Sequence, residues 1–181
     1  MESAITVDNL EVVQFLYLLI RSQKTCDVLD TITSKVVLIL GRFGERTANL
    51  ETLREALRHH PNGYIPVLYY FNSHTVKPVL ETVKVLATLA RFVVVNLTDP
   101  NTARSELSYI TTNVQPVPIQ SLIEAGASLP PEYSTWQTYR SFLPVHRYAD
   151  FDQLIANLTT RVIEPVEGYV QARRTCDGHD S

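Results

Sequence analysis

Val36-Val37-Leu38-Ile39-Leu40-Gly41-Arg42-Phe43-Gly44-Glu45-Arg46 is the stretch on which the fold turns. Its first five residues are apolar without alternation, the pattern of a strand covered by helices on both faces. The run ends at Gly41, and the Glu45-Arg46 pair leads into residues 47–60. There Leu50, Leu53 and Leu57 share one face of a helix, while Glu51, Arg54, Glu55 and Arg58 occupy the other. Pro61-Asn62-Gly63 ends that helix. The spacing thus predicts a central buried strand, a tight loop and a surface helix.

Downstream the same alternation repeats. It predicts a strand over 65–71, a polar loop over 72–77, a helix over 79–90 and a strand over 92–97. After the turn Thr98-Asp99-Pro100-Asn101 come a helix over 103–111 and a strand over 117–121. A proline-bearing loop over 124–133 and an irregular stretch around Trp136 precede a strand over 142–146 and one long helix over 150–173. Strand, helix and strand at this spacing imply right-handed parallel crossovers. About five strands then form a flavodoxin-like, doubly wound α/β sheet in the order 2-1-3-4-5.

Upstream, Leu10, Val13, Phe15, Leu16, Leu19 and Ile20 fit an amphipathic helix over 8–22 capped by Asp8 or Asn9, with a shorter helical stretch over 26–33. The expected organisation is a helical N-terminal extension over 1–34, the α/β domain over 35–174 and a polar tail over 175–181.

Composition narrows the function classes. With 181 residues, 45% of them hydrophobic, the chain supports one sizeable core. A formal net charge of -3 supplies no basic field for nucleic acid. Cys26 and Cys176 lie outside any metal-binding or redox spacing, which fits a reduced, cytoplasmic setting. The most apolar stretch, 12–20, is too short for a bilayer span of about 20 residues, and acids rather than bases precede it. Neither a metal nor a resident cofactor is expected. The adjacent His59 and His60 at a helix end are explained by the helix dipole.

In sheets of this type ligands sit outside the carboxyl ends of the strands, where the strand order reverses. Those ends are the 41–46 loop and residues 96–106. Gly41, Arg42, Phe43 and Arg46 offer flexible backbone, two guanidinium groups and an aromatic ring at a helix N-terminus, the means of holding a phosphorylated planar ligand. The glycine spacing matches neither a dinucleotide fingerprint nor a P-loop. Asn96, Asp99 and Ser105 fall at the second strand end. Glu106 falls in the first turn of the next helix, where the dipole favours an acid. Trp136 and Tyr139 are expected to pack over the sheet; His146 and Arg147 end the last strand.

Leu40-Gly41-Arg42-Phe43, the Glu45-Arg46 that opens the first helix, and Asn96-Leu97-Thr98-Asp99 followed by Ser105-Glu106-Leu107 together resemble bacterial Toll/interleukin receptor-like (TIR-like) domains. More distantly they resemble nucleoside 2-deoxyribosyltransferases, which often carry an acid where this chain has Asn96. The TIR-like resemblance covers 35–173. It implies cleavage of the N-glycosidic bond of NAD, with NAD as substrate, Glu106 as the catalytic carboxylate, and Arg42, Phe43 and Ser105 lining the site. It also implies a defence or signalling role with self-association. Two alternatives stay open: a non-enzymatic TIR-like interaction module, and a nucleoside- or nucleotide-binding transferase.

Overall fold

The computed structural model describes residues 32–42, 47–71, 76–99, 104–114 and 117–177, so the helix expected over 8–22 lies outside them. A helical turn over 32–35 leads directly into the sheet. The order is β1 (Val36–Arg42), α1 (Thr47–Arg58), β2 (Ile65–Phe71), α2 (Val76–Leu89), β3 (Phe92–Asn96) and α3 (Arg104–Asn113). There follow β4 (Ile119–Glu124), the short α4 (Tyr133–Trp136), β5 (Phe142–Tyr148), α5 (Phe151–Ala156), a π-helical turn (Thr159–Ile163) and α6 (Glu164–Asp177).

All strand pairs are parallel, in the order β2-β1-β3-β4-β5. This is the expected flavodoxin-like, doubly wound sheet. β1 is an interior strand, as expected, lying between β2 and β3, and β3 takes the middle place with all five of its residues buried. An unalternating apolar run marks an interior strand, and the sheet has more than one.

Successive β1 residues feed two separate cores. Leu38 and Leu40 join Val93, Val95, Val83 and Ala87 of α2, Leu107 and Ile110 of α3, and Trp136. Val37 and Ile39 join Leu50, Leu53 and Leu57 of α1, with Val94, Leu122, Leu154, Val162 and Val166. Each such side chain, fully buried, stabilises the fold by about 1.5–3 kcal/mol. Trp136 is a packing residue, as expected; Tyr139 sits at the surface.

Several boundaries differ from expectation, each for a local reason. α2 begins at Val76, three residues early, because Pro78 in a first turn gives up an N–H that has no intrahelical partner. β4 begins after Pro118, which has no N–H for the ladder, and runs on to Glu124, three residues past its expected end. β5 reaches Tyr148 and carries a bulge, its register shifting from Gln120↔Leu143 to Leu122↔His146. The backbone groups displaced there are satisfied from the side: Gln120 Nε2 donates to the Pro144 carbonyl at 2.9 Å, and the Val145 N–H donates to the Tyr133 hydroxyl at 3.1 Å.

The single helix expected over 150–173 is broken. α5 starts at Asp150, whose side chain accepts the Gln153 N–H at 2.7 Å, and ends at Asn157. The π turn then intervenes before α6. Pro165 accounts for the π turn, since in a continuous α-helix its ring would collide with the Arg161 carbonyl and its missing N–H would leave that carbonyl unpaired. α6 is fastened at the amino-terminal edge of the sheet. Arg91 donates to Glu167 through Nε at 2.7 Å and through Nη2, and the Tyr64 hydroxyl donates to the same carboxylate at 2.7 Å. Among the described residues no helix is long and apolar enough to cross a membrane.

Candidate functional site at the carboxyl ends of the strands

β1 and β3 are neighbours, and the chain leaves them toward opposite faces, α1 on one and α3 on the other. That makes their carboxyl ends the switch point. Gly41 is buried there, and a Cβ on it would lie 2.1 Å from Leu50 Cδ1. Its small size is therefore required for α1 to lie close against the end of β1. Arg42 is the last residue of β1. The Arg42 side chain, Phe43 and Arg46 fall outside the described residues, as does their arrangement around a ligand.

At the end of β3 the side chains form a closed hydrogen-bonded group. Asn96 is 8% exposed; its Nδ2 donates to the Tyr148 hydroxyl at 2.9 Å, and its Oδ1 accepts from Thr98 N–H at 3.1 Å and Thr98 Oγ1 at 2.6 Å. Thr98 Oγ1 also lies 3.1 Å from the Tyr148 hydroxyl and accepts the Glu124 N–H at 3.0 Å. Asn96 thus ties the ends of β3, β4 and β5 together, and its amide is committed to that task. Asp99 follows, half-buried.

α3 opens with Arg104, Ser105 and Glu106. Arg104 is held by Glu132, Nε donating to Oε1 at 3.0 Å with Nη2 on the same oxygen, and this hydrogen bonding pulls the Glu132 carboxyl below the ordinary glutamate range. One turn on, Ser108 Oγ accepts the Trp136 Nε1–H at 3.1 Å, so α3 is braced along the flank that faces α4. Ser105 is exposed and Glu106 half-exposed. Glu106 precedes Tyr109 and Ile110 by one turn; the Tyr109 hydroxyl donates to Glu81 of α2 at 3.1 Å. Among the described residues the Glu106 carboxylate makes no ion pair or hydrogen bond. The structure therefore brings Gly41, Asn96, Asp99, Ser105 and Glu106 to one edge of the sheet, with Asn96 and Gly41 already engaged in holding the scaffold.

A second concavity lies beyond β5. His146 and Arg147 of β5, Gln153 of α5, Asn157 at the end of α5 and Arg161 of the π turn line a polar cleft of about 390 Å³. Sequence reasoning reached His146 and Arg147 but missed the other three, because it ran one helix through the break. Pro165 was the signal that could have exposed it. A smaller hollow of about 100 Å³ lies between α3 and α4, over Ser108, Thr111 and Trp136. His59 and His60 serve locally: His59 Nδ1 lies 2.8 Å from the Glu55 carbonyl, and His60 stacks on Tyr64.

No family model and no curated protein matches the sequence. Among solved structures, the chain is similar to the crystal structure of a diflavin flavoprotein A3 from Nostoc sp., with a TM-score of 0.52 and 13% sequence identity. That likeness covers 78% of this chain and 97% of the other. At such identity it establishes the flavodoxin-like fold and nothing about the ligand.

Proposed function

We propose that this chain is a TIR-like, nucleotide-binding domain that hydrolyses the nicotinamide–ribose bond of NAD, with Glu106 as its catalytic carboxylate. The observation that carries this reading is Glu106 itself. It is a half-exposed carboxylate with no ion pair or hydrogen bond among the described residues, in the first turn of the helix that follows β3, a strand whose carboxyl end lies at the switch point where doubly wound sheets hold their ligands. Arg42 and Phe43 are assigned to phosphate and to a planar ring, and Ser105 to the rim of the site, on the strength of the TIR-like motif.

The chemistry needs one carboxylate. When the C1′–N bond breaks, its electron pair passes to the pyridinium nitrogen and nicotinamide departs neutral, without a general acid. The ribosyl carbon gains oxocarbenium character, which Glu106 stabilises electrostatically. Water then adds to that carbon and releases a proton, giving ADP-ribose.

The test is nicotinamide release by the whole chain at high protein concentration, with and without crowding agents that promote self-association. Glu106→Gln keeps size and removes charge, and should lower turnover by about a hundredfold or more while NAD binding persists. Equal release by wild type and variant would remove the hydrolase reading. FMN is the comparison ligand: tight, stoichiometric flavin binding that excludes NAD would replace it with a flavin-binding one.

A further inference from the structure

The cleft beyond β5 has the chemistry of an anion site. About 390 Å³ falls in the range of small-molecule pockets, roughly 300–1,000 Å³, yet the lining is polar and, among the described residues, contains no carboxylate. Two of its five described lining residues are arginines. Among the described residues neither Arg147 nor Arg161 pairs with an acid, and Arg147 makes only a long 3.4 Å hydrogen bond to the Ala127 carbonyl. Asp150, which caps α5, accepts the Gln153 N–H, and Asp152 in the first turn of α5 is not among the described residues that line the cleft.

The remaining groups are arranged to complement a negative ligand. Gln153 Oε1 is occupied by the Ala149 N–H at 3.0 Å, which leaves its NH₂ to donate. His146 is held below the ordinary histidine range, first by burial and then by the Arg161 charge, so the imidazole is neutral at pH 7 and has one N–H to give. Arg161 owes its position to the π turn, a departure from regular helix that recurs at functional sites.

We propose that this cleft binds a small, multiply charged phosphoanion, with Arg147 and Arg161 as its paired clamps. Guanidinium forks match phosphate oxygens two at a time, and two of them beside neutral donors favour a polyanion over a single carboxylate. Its described lining shares no residue with the switch point, and the proposal stands whether or not Glu106 is catalytic.

The probe is inorganic pyrophosphate, titrated into the full chain carrying ¹³C-labelled histidine, with the His146 ring resonance as readout. Binding should shift that resonance saturably. Arg161→Ala and Arg147→Ala should each weaken the apparent affinity by about tenfold or more, whereas Arg58→Ala on the exposed side of α1 and Glu106→Gln should leave it unchanged. All four variants alter exposed or half-exposed side chains, and circular dichroism checks their folding. No saturable shift by about 10 mM pyrophosphate would overturn the proposal, since weaker binding than millimolar is no specific site. An unchanged affinity in Arg161→Ala, or acetate binding as tightly as pyrophosphate, would overturn it as well.

Discussion

Replacing Glu167 by glutamine tests how α6 is held. The carboxylate accepts two donors from Arg91 and one from Tyr64, with the Arg91 and Glu167 side chains only 14% and 16% exposed. An amide of the same shape keeps one acceptor oxygen and turns an NH₂ toward a donor. Arg91 is then left with a largely desolvated, uncompensated charge. Removing one partner of a fully buried pair costs about 3–5 kcal/mol; with partial solvent access here, about 2–3 kcal/mol is expected. For a domain of this size each kcal/mol lowers Tm by about 2–4 °C, so Glu167→Gln should melt roughly 5–10 °C below wild type. Urea denaturation followed by circular dichroism gives the free energy directly. A double-mutant cycle with Arg91→Met isolates the coupling. A loss below about 0.5 kcal/mol would refute the fastening of α6 through this pair, since that is the scale of an ordinary surface substitution.

The Tyr64 hydroxyl is pushed up from 10.0 to about 12, first by burial and then by its hydrogen bond to Glu167. A raised acid favours the folded state while protonated, so its contribution is complete below pH 10 and is lost as pH rises from 10 toward 12. The stability difference between wild type and Tyr64→Phe should therefore shift against wild type by on the order of 2 kcal/mol across that window, and a difference independent of pH would contradict the assignment. Gly41→Ala would drive a methyl to within 2.1 Å of Leu50 Cδ1, and Leu50 is itself only 4% exposed. It should cost about 1–3 kcal/mol in urea denaturation, with much of the loss recovered against a Leu50→Ala background; strictly additive effects would argue against a direct collision.

The sheet was legible because its signals are local. An apolar run bounded by glycine, and leucines spaced three and four apart, each report on their own segment without knowledge of the rest. The break before Pro165 was equally local and was passed over, which hid Arg161. The position of Glu106 in the first turn of α3 needed only the strand and helix assignments. Asn96 was different: its partner Tyr148 is 52 residues away and reaches it across a bulged strand whose register no periodicity specifies. Its role in holding three strand ends together could be seen only in three dimensions.

The two outermost strands each contain a proline, Pro66 in β2 and Pro144 at the bulge of β5. A proline has no N–H to give an incoming strand, and a bulge spoils the straight row of donors and acceptors that such a strand would match. Both flanks of the sheet are therefore poor templates for continuing it, which guards a core this rich in valine, leucine and isoleucine against edge-to-edge aggregation. A second copy that packed on this chain without extending the sheet would meet it through helices and loops. The spacing between the contacting elements would then be the 8–10 Å of packed helices, not the roughly 4.8 Å of a shared ladder.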